Sequence, residues 1–173
     1  MTKKKRALFC LLAACLLCGL TACGSSAPPA ESSYQPAEST AEQTADTTVL
    51  VAYFSATGNT RGVAERIAAL TGGDLYEITP AEPYTAEDLD YTNSESRTSL
   101  EMADPDARPA LGGAALSLEG YDTLYLGYPI WHGQAPRILS TFAEQYDFDG
   151  LTVIPFCTSG SSGIGSSAGE LAM

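Results

Sequence analysis

The chain has 173 residues, enough for one domain with tails, and 21 acidic against nine basic residues give a formal net charge of −12. Such a surface repels nucleic acid and anionic lipid headgroups, which argues against a nucleic-acid-binding role. The sequence has a single histidine and shows neither a partnered nucleophile nor a metal-ligand pattern. We therefore expect no catalytic set and no metal site.

The first 22 residues are predicted to form a lipoprotein signal peptide. Residues 3–6 are basic, and the apolar run over 7–20 is too short for an ordinary transmembrane helix. The run ends in Leu-Thr-Ala-Cys at residues 20–23, which resembles the lipobox of bacterial lipoproteins. In that family cleavage precedes the cysteine, and its sulfur carries the lipid. A plain signal peptide or a short membrane anchor is the alternative interpretation.

Lipid on Cys23 would anchor the protein at a membrane surface without a spanning segment, because two acyl chains on one residue bind stably. Residues 23–46 are rich in Ser, Ala, Pro, Glu and Thr, which predicts a disordered spacer. Only Cys157 lies beyond residue 23, so no internal disulfide can form after processing. The sequence thus predicts an extracytoplasmic location, lipid-anchored to the bacterial cell membrane.

The folded domain is predicted over residues 47–173 and begins with a buried strand. Residues 48–54 form a continuous apolar run, typical of a strand covered on both faces. A turn over 55–60 leads to a helix over 61–70, indicated by apolar residues at helical spacing. Residues 74–78 are predicted as a second strand. This strand, helix and strand favour a parallel βαβ unit.

The second half of the domain alternates in the same way after an irregular segment. Residues 79–109 contain four prolines, which exclude a long helix, although 86–102 could hold one or two short ones. The acidic residues of this segment are interpreted as a solvated face. The remaining predicted elements are a strand at 122–128, a helix at 136–145, a strand at 151–156 and a helix that starts near Ile164.

Alternating strands and helices indicate an open α/β sheet, in which ligands bind at the carboxyl ends of the strands. That rule selects three loops, at residues 55–60, 128–134 and 157–163. The first joins a buried strand to a helix, so its N–H groups and the helix dipole can bind an anion. It has no lysine, which excludes a nucleoside-triphosphate P-loop. We interpret it as a site for a small monophosphate, with an ordinary capped turn as the alternative.

Several motifs resemble those of flavodoxins, in the order in which that family has them. The phosphate loop is matched by Ser-x-Thr-Gly-x-Thr at residues 55–60. A flavodoxin-like subfamily is matched by Ala-Arg-Pro-Ala-Leu at 107–111, Tyr-Asp at 121–122, Gly-Tyr-Pro-Ile-Trp at 127–131 and Pro-Phe-Cys-Thr-Ser-Gly at 155–160. The resemblance implies a flavodoxin-like three-layer open parallel sheet of order 2-1-3-4-5 that binds FMN.

The family's fifth strand and last helix would follow residue 173. The resemblance therefore implies that the domain is C-terminally incomplete, apparently truncated before the fifth strand. The fourth strand would then be an exposed edge, and apolar surface beneath the last helix would lose its cover. The chain would correspond to a gene fragment or to part of a longer protein.

The resemblance also assigns the FMN phosphate to the first loop and the isoalloxazine ring to the other two. An aromatic ring in the second loop could stack on the flavin, and many relatives have a second tryptophan at the position of His132. The alternatives are a hydrophobic cap for Trp131, a loop hydrogen bond for His132 and a flexible linker for the third loop. The expected cofactor-binding residues are Ser55, Ala56, Thr57, Gly58, Asn59, Thr60, Tyr128, Pro129, Ile130, Trp131, His132, Gly133, Thr158, Ser159 and Gly160.

Together these expectations describe an FMN-binding, flavodoxin-like electron-transfer protein at the outer face of the cytoplasmic membrane. Without its signal the chain keeps five arginines against 21 acidic residues. This balance favours a redox protein with a basic docking surface as the partner, and the predicted membrane location makes a membrane quinone the alternative. Two alternatives remain open: an NAD(P)H-dependent FMN quinone reductase on the same fold, and a truncated non-redox binding protein or fragment.

Overall fold

The computed structural model describes residues 47–171, so the predicted signal peptide, Cys23 and the spacer lie outside the described residues. The elements in chain order are β1 (Val49–Tyr53), α1 (Asn59–Thr71), β2 (Asp74–Glu77), β3 (Thr79–Pro80), α2 (Arg97–Ala103), β4 (Leu111–Gly112), β5 (Thr123–Pro129), α3 (Arg137–Gln145) and β6 (Thr152–Thr158). A short 3-10 turn, Gly169–Leu171, follows β6.

A parallel four-stranded sheet in the order β2-β1-β5-β6 is the centre of the domain. In β1, Leu50 is in register with Asp74 on one side and with Leu124 on the other. The strands are therefore arranged as the first four strands of the expected order. Because all four run in the same direction, their carboxyl ends meet at one edge.

Helices cover both faces of the sheet, which makes three layers. Successive residues of a strand point to opposite faces. Leu50, Ala52 and Phe54 accordingly belong to the core cluster that includes the buried face of α3. Val51 and Tyr53 pack instead with alanines of α1 on the other face. The predicted three-layer α/β architecture is therefore correct.

Helix α1 begins two residues earlier than its apolar pattern predicts. Gly58 adopts φ 87°, a left-handed conformation that turns the chain directly from the first loop into the helix. The helix ends where Gly72, at φ 69°, donates its N–H to the Ala68 carbonyl. Glycines therefore set both ends of α1.

Two expectations about local structure are corrected. Strands β3 and β4 form a small antiparallel pair that the sequence analysis missed, because two-residue strands carry no periodic pattern. The helix predicted from Ile164 is wrong within the described residues, where the chain forms turns before the Gly169–Leu171 3-10 turn. Ser167 explains part of this, since its hydroxyl and its N–H both donate to the Ile164 carbonyl.

Over residues 47–171, no helix combines the length and apolar character needed to cross a membrane.

Candidate functional site

The three predicted loops meet at the carboxyl edge of the sheet and enclose a cavity of about 900 Å³. This volume lies in the range of cofactor and ligand sites. All of the expected cofactor-binding residues line the cavity except Gly58 and Tyr128. Hydroxyl groups, backbone amides and apolar side chains are therefore brought together at one site.

The first loop presents free backbone donors at the start of α1. The Gly62 N–H bonds to the Gly58 carbonyl, and the Arg61 N–H bonds to Ser55 Oγ at 3.2 Å. Among the described residues, the N–H groups of Asn59 and Thr60 find no acceptor. The first N–H groups of a helix carry partial positive charge, so these two can bind an anion.

No side chain with a permanent charge lines the described part of the cavity. The nearest basic residue in sequence, Arg61, donates from Nη2 to the Glu77 carboxylate at 2.6 Å. Its guanidinium is therefore neutralised by a partner on β2. Amides and hydroxyls, with the dipole of α1, supply the positive potential at this end of the cavity.

One hydrogen bond joins the first loop to the third. Thr60 Oγ1 lies 2.8 Å from Thr158 Oγ1, and either hydroxyl can be the donor. Thr60 is buried, while Thr158 ends β6. This hydrogen bond fixes the position of the first loop relative to the third at the point where both line the cavity.

The second loop is a tight turn that carries the single tryptophan. Trp131 and Gln134 exchange backbone hydrogen bonds at 3.0 and 2.9 Å, while His132 and Gly133 adopt φ 48° and 82°. The indole of Trp131 meets the ring of Phe54 edge-on at 5.3 Å. The turn and this contact fix the position of the indole at the cavity.

Tyr128 does not border the cavity with its side chain. Its ring is fully buried in the core, and its hydroxyl lies 3.1 Å from Ser167 Oγ. Strand β5 continues through Pro129, so Tyr128 stays inside the strand and faces the core. The expectation that this tyrosine borders the flavin ring is therefore corrected. Gly58 keeps a conformational role, as its positive φ shows.

The comparisons with known proteins decide the family. A family model described as flavodoxin matches residues 48–173. The chain belongs to the flavodoxin family.

Solved structures agree with this membership of a flavodoxin-like flavoprotein family. A presumed flavoprotein from Bacteroides eggerthii DSM 20697 is 53% identical, with 72% of this chain and 79% of that chain covered and a TM-score of 0.70. One from Bacteroides uniformis ATCC 8492 is 54% identical, with 72% and 80% covered and the same TM-score. A flavoprotein from Lactobacillus acidophilus NCFM, solved in complex with FMN, shares the fold at 22% identity, with 73% and 86% covered and a TM-score of 0.62. Comparison with curated proteins gave no match.

Sequence reasoning missed part of the cavity wall. Leu89, Tyr91 and Thr98 line the cavity from the irregular segment, of which only the acidic residues were interpreted, as a solvated face. Ser161 and Ser162 extend the third loop beyond the expected residues. The available signal was Tyr91 itself, an aromatic residue within a run of turn-forming polar residues.

Behind Trp131 lies a half-buried tyrosine with a fixed hydroxyl. The Tyr84 ring meets the indole edge-on at 5.2 Å, and the Arg97 guanidinium stacks over the Tyr84 ring at 4.1 Å from its centroid. The Tyr84 hydroxyl donates to Glu101 Oε2 at 2.7 Å. Burial raises the pKa of Tyr84, and the hydrogen bond to Glu101 raises that pKa further.

We expect Tyr84→Phe to make the flavodoxin domain less sensitive to alkaline pH. In the unfolded chain this phenol ionises near pH 10.0, whereas its pKa in the folded chain is higher. The stabilisation is therefore present below pH 10 and is lost as pH rises above it. Tyr76, whose pKa is raised to about 12 by burial, contributes in the same direction.

The measurement is urea unfolding of both proteins between pH 8 and 11. The free energy of unfolding should fall less steeply with pH in Tyr84→Phe than in the wild type. Tyr91→Phe, which removes an exposed hydroxyl, is the control and should follow the wild-type profile. Identical slopes for Tyr84→Phe and the wild type would contradict the prediction.

Proposed function

We propose that this protein is an FMN-binding electron carrier, attached by lipid to the outer face of the bacterial cytoplasmic membrane. The observation that carries the proposal is a cavity lined by two kinds of group. Asn59 and Thr60 offer N–H groups that find no acceptor among the described residues, and Trp131 offers an indole ring. A ligand that carries both a phosphate and an aromatic ring system matches this lining.

The residues present fit FMN by their chemistry. Ser55 and Thr57 would add hydroxyl groups to the amide donors around the phosphate. Trp131 and the third loop would border the isoalloxazine and keep water from it. The third loop offers Gly160, which lets backbone amides approach a ring closely.

Bound FMN would supply the electron-transfer chemistry, and the protein would supply binding and orientation. The Lactobacillus acidophilus flavoprotein supports this assignment, because it has the same fold and was solved with FMN. The two Bacteroides proteins, at more than half identity, are described as presumed flavoproteins.

The proposed membrane attachment and partner are supported by the sequence. The lipobox-like residues 20–23 support attachment through Cys23. The excess of acidic residues favours a redox partner with a basic docking surface, and the proposed membrane location favours a quinone as the other candidate. Soluble nicotinamide is scarce outside the membrane, which favours a membrane donor over NAD(P)H.

The first test is a flavin titration of the full-length chain in detergent. Trp131 is the only tryptophan, so its fluorescence reports on the proposed ring site. We expect saturable mutual quenching of indole and flavin with FMN. Riboflavin should bind at least about 100-fold more weakly, because it forfeits charge-assisted hydrogen bonds to the first loop.

Equal affinities for FMN and riboflavin would refute the assigned phosphate site, and absence of saturable binding would refute the flavin-carrier proposal.

A second test distinguishes the electron carrier from the nicotinamide-dependent reductase by the electron donor. The FMN-loaded protein should be reduced faster by membrane donors than by NADPH. Equal rates would instead favour the nicotinamide-dependent reductase.

A further inference from the structure

Tyr91 is exposed in a way that the fold does not explain. About 78% of its surface is accessible, and among the described residues its hydroxyl has no hydrogen-bond partner. It nevertheless lines the cavity together with Leu89. A large aromatic side chain at the wall of a ligand cavity is available for contact with a ligand.

The loop that carries Tyr91, residues 85–96, is held by its own hydrogen bonds. At its start, Thr85 N–H donates to Asp88 Oδ2 at 2.9 Å, and Asp88 N–H donates back to Thr85 Oγ1 at 3.2 Å. The Asp88 carbonyl then accepts from the backbone N–H and the hydroxyl of Thr98, at 3.1 and 2.7 Å. These bonds fasten the 85–96 loop to the first turn of α2.

A second set of bonds surrounds Tyr91 itself. Asp90 Oδ1 accepts from the N–H and the hydroxyl of Thr92 at 2.9 and 2.6 Å, which closes a turn around the tyrosine. The Asp90 carbonyl also accepts from Asn93 N–H at 3.1 Å. Little further ordering of this backbone is needed when a ligand arrives, so the loop is preorganised.

The other walls leave room for such an aromatic contact. The third loop, residues 157–163, consists of cysteine, threonine, serine and glycine and has no aromatic side chain. Tyr128, from the second loop, faces the core. In the described lining, Trp131 and Tyr91 are therefore the two residues with large aromatic rings.

We propose that Tyr91 is a second aromatic contact for the flavin ring, presented by the preorganised 85–96 loop. This inference rests on the proposed FMN site and extends it to a segment outside the three strand-end loops. Stacking on an extended aromatic ligand stabilises the complex through the ring of the tyrosine and not through its hydroxyl. The loop then contributes to affinity for the ring system, while the first loop contributes to affinity for the phosphate.

The test compares FMN binding by the full-length wild type, Tyr91→Ala and Tyr91→Phe, measured by flavin fluorescence. Tyr91→Ala should weaken FMN binding about tenfold, the expected loss for one aromatic stacking contact. Tyr91→Phe keeps the ring and should bind within about twofold of the wild type. Leu100→Ala is the matched control, since Leu100 is also exposed, at 57%, but lies on α2 away from the cavity lining.

Inorganic phosphate, added as a competitor, separates a ring contact from a general effect on the site. Its inhibition constant should be the same in Tyr91→Ala and the wild type, because phosphate needs only the first loop. Wild-type FMN affinity in Tyr91→Ala would overturn the assignment of Tyr91 and leave the proposed function standing. An equal loss of phosphate binding would show that the substitution damages the fold, and would overturn the assignment as well. Failure of the wild type to bind FMN would overturn the proposed function itself.

Discussion

Gly58→Val is expected to lower FMN affinity at least about 100-fold while reducing the free energy of unfolding by only about 1–2 kcal/mol. Gly58 has φ 87° at the start of α1, a conformation that a β-branched residue avoids. A Cβ at this position would meet nothing within 4 Å, so the strain is conformational and not steric. Relief of that strain would turn the Asn59 and Thr60 N–H groups away from the phosphate.

Gly62→Val is the matched control. Gly62 also has open space around a Cβ, but its φ lies outside the left-handed region. FMN affinity should be unchanged, and the free energy of unfolding should shift by less than about 1 kcal/mol. The measurements are FMN titration and urea unfolding of the full-length proteins. Wild-type FMN affinity in folded Gly58→Val would contradict the role of this glycine.

Phe142→Ala should lower the free energy of unfolding by about 3–5 kcal/mol, a large part of the stability of an ordinary domain. Phe142 is fully buried on α3, and its ring centroid lies 4.9 Å from that of Tyr146 and 5.8 Å from that of Phe148. Truncation would leave a cavity beside the rings of Tyr146 and Phe148, which cannot both move in to fill it. The apolar contact between α3 and the sheet depends on this side chain.

Urea unfolding followed by far-UV circular dichroism would measure the loss. Leu70→Ala provides the control, because Leu70 is 87% exposed on α1 and should change stability by less than about 0.5 kcal/mol. A loss below about 1 kcal/mol for Phe142→Ala would mean that the core around α3 collapses onto the space.

The parallel sheet could be predicted because its main strands are apolar runs. The first two of these strands are separated by a clear helical pattern, that of α1. Residues 48–54 are nearly all apolar, and β1 is indeed buried on both faces. The β3–β4 pair could not be predicted, because its pairing depends on contacts between residues about 30 positions apart. The helix expected from Ile164 failed for a different reason. Serine and glycine there favour local turns, and helical spacing of only a few apolar residues is weak evidence for a helix.

The site could be predicted where topology decides it. Loops that follow parallel strands meet at one edge of the sheet, which brought Thr60, Trp131 and Thr158 together as expected. Tyr91 could not be placed, because its position depends on side-chain hydrogen bonds within the 85–96 loop. Tyr128 was misplaced because it shares a face of β5 with Leu124 and Leu126 and points into the core with them, whereas the sequence analysis treated it as a loop residue.

The hydroxyl pair of Thr60 and Thr158 gives the cavity an adjustable polarity. Each threonine oxygen can donate one hydrogen and accept another, and either can be the donor in their mutual bond. When Thr158 donates to Thr60, the Thr60 hydrogen is free for an anionic ligand. When the bond reverses, Thr158 can donate to a carbonyl or ring nitrogen instead. Rotation of the two O–H bonds thus changes which threonine can donate a hydrogen bond to a ligand, without displacement of any heavy atom.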